Sequence, residues 1–147
     1  MSDEEKISGG CLCGAVRYEA VGEPIYVPYC HCESCRKATG APVVMYLVLH
    51  PEQVRFTKGE RKTYESSPGV HRAFCSDCGT PLTWEGIWAG RTVIELHVGA
   101  LDQPDGFVPD RHAFHGERIS WFDVADRLPR HRGSSVGTEP DSFGPAE

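Results

Sequence analysis

Gly10-Cys11-Leu12-Cys13-Gly14, near the start of the chain, and Phe74-Cys75-Ser76-Asp77-Cys78-Gly79, in mid-chain, decide how this sequence folds. The first is a Cys-x-Cys pair. Residues two apart on a strand face the same side, so both sulfurs are expected to grip one ion, with flanking glycines allowing tight turns around it. The second is a Cys-x-x-Cys knuckle at a strand end, and Gly79 is free to adopt a positive φ. Together Cys11, Cys13, Cys75 and Cys78 make a tetrahedral thiolate set, the usual closed structural zinc site. Such a site staples the first strand to mid-chain. Metal binding there is worth on the order of 10 kcal/mol of folding free energy, comparable to the whole stability of a small domain.

The other three cysteines lie in Cys30-His31-Cys32-Glu33-Ser34-Cys35. Cys30 and Cys32 share a face, Cys35 closes a Cys-x-x-Cys turn, and no further cysteine remains to complete the shell. Three protein ligands and one open position describe a catalytic rather than a structural zinc site. A trithiolate zinc carries a net charge of about −1, and Arg36 and Lys37 follow at once as cations. A closed second site is the alternative, with His31, His97, His112 or His115 as fourth ligand. His31 is the poorest of these, because it lies between two ligands of one face and should point away. A redox dithiol of thioredoxin type expects a βαβ setting, which the pattern lacks.

The chain of 147 residues fits one domain, expected over residues 7–132. Its net charge of −6 is concentrated at the ends. The first six residues contribute −2 and residues 133–147 contribute −3, leaving −1 for the body. That balance gives no surface for nucleic acid, and no nucleic-acid partner is expected. No stretch approaches the roughly 20 apolar residues of a membrane helix, and Met1 to Lys6 lack the basic and apolar regions of a secretory signal. A cytoplasmic chain without a membrane partner is therefore the expectation, and there clustered thiols point to metal or catalysis rather than disulfides. Residues 1–6 and 133–147 read as flexible termini, since they have little apolar surface to offset the entropy of ordering.

Between these ends the pattern is mainly β. Cys13 to Ala20 alternates into Val16 and Tyr18, and Val43 to Leu49 is a continuous apolar run expected to be buried on both faces. Gln53–Thr57, Arg61–Glu65, Val70–Cys75 and Thr92–Val98 alternate as strands, separated by turn signals at Gly59, Pro68-Gly69, Ala89-Gly90 and Pro104-Asp105-Gly106. One short helix is predicted from Glu33 to a stop at Gly40, and another turn or two between Trp121 and Leu128.

These motifs, with Cys30-His31-Cys32-Glu33-Ser34-Cys35-Arg36-Lys37, Gly99-Ala100-Leu101-Asp102, and His112 with Trp121 and Asp126-Arg127-Leu128-Pro129, resemble the glutathione-dependent formaldehyde-activating enzyme and centromere protein V (GFA) family. The resemblance runs from about Gly9 to Pro129. It implies a β-tent fold with two zinc ions per chain, a structural one on Cys11, Cys13, Cys75 and Cys78 and a catalytic one on Cys30, Cys32 and Cys35. It also implies a carbon–sulfur lyase like S-(hydroxymethyl)glutathione synthase, with a small thiol or aldehyde partner such as glutathione or formaldehyde. Glutathione carries two carboxylates, for which Arg36, Lys37, Arg72 and Arg111 are candidate contacts, Arg36 being placed in the catalytic set. One departure stands out: His112-Ala113-Phe114-His115 puts a second histidine where the family commonly reads His-Ile.

Two other classes compete with the enzyme. A non-catalytic zinc module would keep the cysteines and need no open position, though no basic tail is present to grip phosphates. A thiol oxidoreductase would need an exposed reactive cysteine beyond those with a metal to hold.

Overall fold

A computed structural model describes residues 6–145, and the chain divides into two compact units. Residues 1–5, on which the expectation of a flexible start falls, and residues 146 and 147 lie outside the described residues. The first unit comprises the chain up to Ile25 and Leu47–Phe107, and the second Tyr26–Tyr46 with the chain from Val108. The structure is mainly β, with one α-helix among the described residues.

The first unit carries two runs of antiparallel strands. Strands β1 (Lys6–Gly10), β2 (Arg17–Val21) and β5 (Val54–Lys58) form a three-stranded sheet in that order. Strands β6 (Lys62–Ser67), β7 (Val70–Phe74), β8 (Pro81–Trp88) and β9 (Arg91–His97) form a meander joined by tight turns. The strand β8 escapes a reading from sequence because Pro81 and Gly86 look like breakers. Pro81 is tolerated as its first residue. Gly86 is required by a close approach, since a Cβ there would sit 2.7 Å from the Trp84 ring. The core of this unit is apolar, with Leu47, Leu49, Leu82 and Leu96 fully buried.

The second unit is built differently. Strand β3 (Pro28–Cys30) pairs antiparallel with β4 (Val44–Leu49) and parallel with β10 (Arg111–Ala113). Strand β10 pairs parallel with β11 (Pro129–Arg130), which pairs antiparallel with β12 (Ser142–Phe143). Most of β4 is buried, as its unbroken apolar run requires. Helix α1 (Glu33–Thr39) begins at Cys32 and stops at Gly40, whose φ of 75° only glycine adopts without strain. The buried residues of this unit include His31, His112, His115, Arg130 and His131.

One local expectation changes. Trp121–Leu128 is irregular rather than helical. Its carbonyls and carboxylates are committed elsewhere: Val124 and Leu128 carbonyl oxygens accept from the Arg130 guanidinium at 2.7 and 2.9 Å. Residues 133–145, read from composition as a flexible tail, carry β12 and a buried Ser135. Polar bonds rather than apolar burial hold them: His131 Nδ1 lies 2.9 Å from Thr138 Oγ1, and the Asp141 carboxylate accepts from the Arg132 backbone N–H at 2.6 Å.

Candidate metal centres

Cys11 and Cys13 do not lie on a strand. Strand β1 ends at Gly10 and Cys11–Gly14 form a turn, closed by Gly14 N–H donating to the Cys11 carbonyl at 3.1 Å. The turn, not strand alternation, brings the two sulfurs together. Cys75 follows β7, and the knuckle closes by Gly79 N–H donating to the Cys75 carbonyl at 2.8 Å, with Gly79 at φ 79°. The four Sγ atoms all lie within 4.8 Å of one another. Their spacing fits a single ion. A tetrahedron with metal–sulfur distances of about 2.3 Å has sulfur–sulfur edges of roughly 3.8 Å, and the Cys11–Cys13 and Cys13–Cys75 separations are 3.7 and 3.8 Å. Both far exceed a disulfide bond of about 2.05 Å.

Backbone N–H groups also point at these sulfurs. Val16 donates to Cys11 at 3.2 Å, and Asp77 and Cys78 donate to Cys75 at 3.4 and 3.5 Å. Such donors favour the ionised thiol, the form that binds metal. The Thr80 hydroxyl, 3.2 Å from Cys78 Sγ, leads the contacts that pull the Cys78 thiol down to about 5.

The second cluster lies in the second unit. Cys30 ends β3, Cys32 caps α1 by accepting the Cys35 N–H at 3.3 Å, and Cys35 lies in the helix. These three sulfurs also lie within 4.8 Å of one another. Contact with the Cys32 sulfur, then with Cys35, and burial hold the Cys30 thiol well above its usual range. Crowded like charges have this effect, and a bound cation would reverse it. Among the described residues no histidine nitrogen or carboxylate oxygen joins this group. A buried phenol does approach: Tyr46 Oη is 3.2 Å from Cys35 Sγ.

The histidines proposed as fourth ligands are engaged in a network of their own. His31 points away from its flanking cysteines and is fully buried. Its Nε2 lies 2.8 Å from His112 Nδ1, and His112 Nε2 lies 3.0 Å from the Asp126 carboxylate. Asp126 also pairs with the buried Arg130 and accepts from Leu128 N–H, so it is ionised. An ionised Asp126 makes His112 Nε2 the donor and His112 Nδ1 the acceptor, so His31 Nε2 donates. His31 Nδ1 is then a lone pair, and it is buried without a partner. Burial, then the neighbouring His112 and His115, pull the His31 pKa down to about 3. His115 Nε2 lies 3.1 Å from Asp123, which Arg130 reaches at 3.3 Å. Phe114, at φ 53°, makes the strained turn that carries the chain from His112 to His115.

The candidate cations are placed individually. Arg36 donates from Nε to the His31 carbonyl at 3.3 Å and from Nη2 to the Glu117 carbonyl at 3.2 Å. Lys37 is exposed on α1. Arg111 pairs with Asp110 at 2.9 Å and lies over the Tyr26 ring, and Arg72 donates to Ser66 Oγ at 3.2 Å. His97, on β9 of the first unit, belongs to neither thiol cluster. Sequence reading missed Tyr46, Asp123, Arg130 and His131. The one available signal was the density of histidine, aspartate and arginine between Asp110 and His131.

A mainly β chain carrying a four-thiol and a three-thiol cluster is a small protein with two candidate metal centres. The profile of the glutathione-dependent formaldehyde-activating enzyme family matches residues 6–117, and the chain belongs to that family. A protein of Schizosaccharomyces pombe named an uncharacterized lyase is 35% identical over 74 residues, half of this chain and 53% of its own length. The match thus spans about half of that relative. A Halomonas elongata protein, provisionally named a glutathione-dependent formaldehyde-activating enzyme, is 27% identical over 82% of each chain. The crystal structure of a Rhodobacter sphaeroides protein aligns with a TM-score of 0.55 at 23% identity, over 69% of this chain and 97% of that one. That likeness concerns the fold alone.

Proposed function

We propose that this chain is a zinc-dependent carbon–sulfur lyase acting on the adduct of glutathione with formaldehyde, or on a related thiol–aldehyde pair. The reaction adds S–H across C=O, the sulfur bonding to carbon and the proton passing to oxygen, or undoes that addition. One observation carries the reading: the sulfurs of Cys30, Cys32 and Cys35 converge and, among the described residues, no histidine, further cysteine or carboxylate joins them. Family membership and the names of the relatives support the thiol and aldehyde as substrates.

In this reading Cys11, Cys13, Cys75 and Cys78 hold a structural zinc, and Cys30, Cys32 and Cys35 hold a catalytic one. A zinc ion there would favour ionisation of a substrate thiol and draw charge from an aldehyde oxygen. The chain's own residues fix the cluster. Glu117 accepts the Glu33 N–H at 3.0 Å, anchoring the first turn of α1, and Arg36 ties the His31 carbonyl to that of Glu117. With Nε and Nη2 of Arg36 on backbone, the exposed Lys37 is the better contact for a glutathione carboxylate.

Cobalt substitution tests this. Glutathione should perturb the ligand-field spectrum of the cobalt protein, and the zinc protein should equilibrate glutathione and formaldehyde with their adduct faster than buffer alone. A spectrum indifferent to every thiol tried would remove the open position and favour the non-catalytic zinc module.

A further inference from the structure

The three sulfurs of the second cluster are not equivalent. Cys32 accepts a backbone N–H from Cys35 at 3.3 Å. Cys35 lies 3.2 Å from the Tyr46 hydroxyl. The polar contacts of Cys30 are with the other two sulfurs. Tyr46 is 2% exposed and Cys35 is 3% exposed, so water does not compete for this contact. Tyr46 sits on β4, whose pairing with β3 places Val44 opposite Cys30. The phenol is thus delivered by a rigid strand and not by a loop.

A thiol and a phenol can each donate in such a pair. A sulfur that holds a metal ion has no proton, so at a loaded cluster only the phenol can donate. A hydrogen bond to a charged acceptor is roughly twice as strong as one between neutral groups, and it strengthens where water is excluded. It draws electron density from the sulfur it touches. Groups behind metal ligands tune the ion through this effect.

We propose that Tyr46 is a positioning residue of the three-cysteine cluster, its phenol donating to Sγ of Cys35 and setting how much charge that sulfur gives to a bound ion. This rests on the reading of Cys30, Cys32 and Cys35 as a metal site, and makes Cys35 a weaker electron donor than Cys30. The sequence gives no hint of it, since Tyr46 lies within an apolar strand run.

The test uses the full chain loaded with cobalt(II), comparing wild type with Tyr46→Phe and with 3-fluorotyrosine at position 46. Phenylalanine keeps the ring and removes the donor, whereas fluorotyrosine keeps the shape and donates more strongly. The sulfur-to-cobalt charge-transfer band should move to lower energy in Tyr46→Phe and to higher energy with fluorotyrosine. Competition with a chelator should show metal retention at this cluster changed about 10-fold or more in Tyr46→Phe, with the four-cysteine cluster unchanged as internal control. If Tyr46→Phe does not fold, the fluorotyrosine shift alone decides. An unmoved band and unchanged retention overturn the proposal while leaving the open-site reading intact. A cluster that takes up no cobalt overturns both.

Discussion

Cys11-Leu12-Cys13 and Cys30-His31-Cys32 have the same spacing and opposite middles. Leu12 is 89% exposed, whereas His31 is fully buried. The first motif is a surface turn in which the Cys11 sulfur accepts the Val16 N–H, and its two sulfurs meet two further cysteines from mid-chain. The second is backed by side chains, with His31 leading into His112 and Asp126 and Tyr46 touching Cys35. Cys-x-Cys spacing therefore says which sulfurs can meet, and the middle residue says what stands behind them. The four-thiol cluster is backed mostly by backbone N–H groups, with one hydroxyl, that of Thr80, on Cys78. A three-thiolate cluster is supported by a buried polar core.

If that contrast is right, the two clusters must differ most in what they do for folding. Cys75→Ala leaves three ligands at a site that joins distant parts of the chain, and should forfeit most of roughly 10 kcal/mol. Loss of soluble protein or collapse of the thermal transition is the expected result. Cys32→Ala opens a cluster that is local in sequence and should leave the protein folded. Equal destabilisation by the two would erase the distinction.

The buried polar core gives the next effect. Arg130 is 1% exposed and pairs with both Asp123 and Asp126. Arg130→Met removes the shared cation and leaves two partly buried carboxylates without it, which should cost about 3–5 kcal/mol in urea unfolding. A loss below 1 kcal/mol would mean that the carboxylates are satisfied by solvent and that the network does not support the cluster.

Acid should weaken the same core. His31 titrates at about 3 and His112 below its ordinary value, in both cases chiefly through burial. An unfolded histidine titrates near 6.5, so between that pH and the folded value the unfolded chain binds more protons. Stability is full above about pH 6.5 and falls as pH drops towards 3. Urea midpoints at pH 7.5, 6.5 and 5.5, with bound metal measured in the same samples, should fall in that order. The fall should be shallower in His112→Gln, and parallel slopes would assign the acid sensitivity elsewhere.

The smallest effect belongs to the other motif's middle. Leu12→Ser exchanges a side chain that is 89% exposed, and should change stability by no more than about 0.5 kcal/mol. A larger loss would show that Leu12 covers the four-cysteine cluster.

By itself the sequence determined the β class, the two thiol clusters, the helix from Glu33 and its stop at Gly40. These depend on spacing, alternation and glycine chemistry, all local properties of the chain. It misplaced Trp121–Leu128 because local propensity there yields to Arg130, which binds the segment's carbonyls from outside it. It also read Cys11 and Cys13 as strand residues, when the turn at Gly14 brings them together. Only the tertiary structure decided that His112 faces His31 across 81 positions of sequence, that Asp126 fixes the proton positions of both, and that Tyr46 meets Cys35. Parallel pairing of β3 with β10 sets His112 opposite Tyr29, and no periodicity in either three-residue strand specifies that register. Hydrogen bonds between side chains distant in sequence follow from packing, which a one-dimensional pattern does not encode.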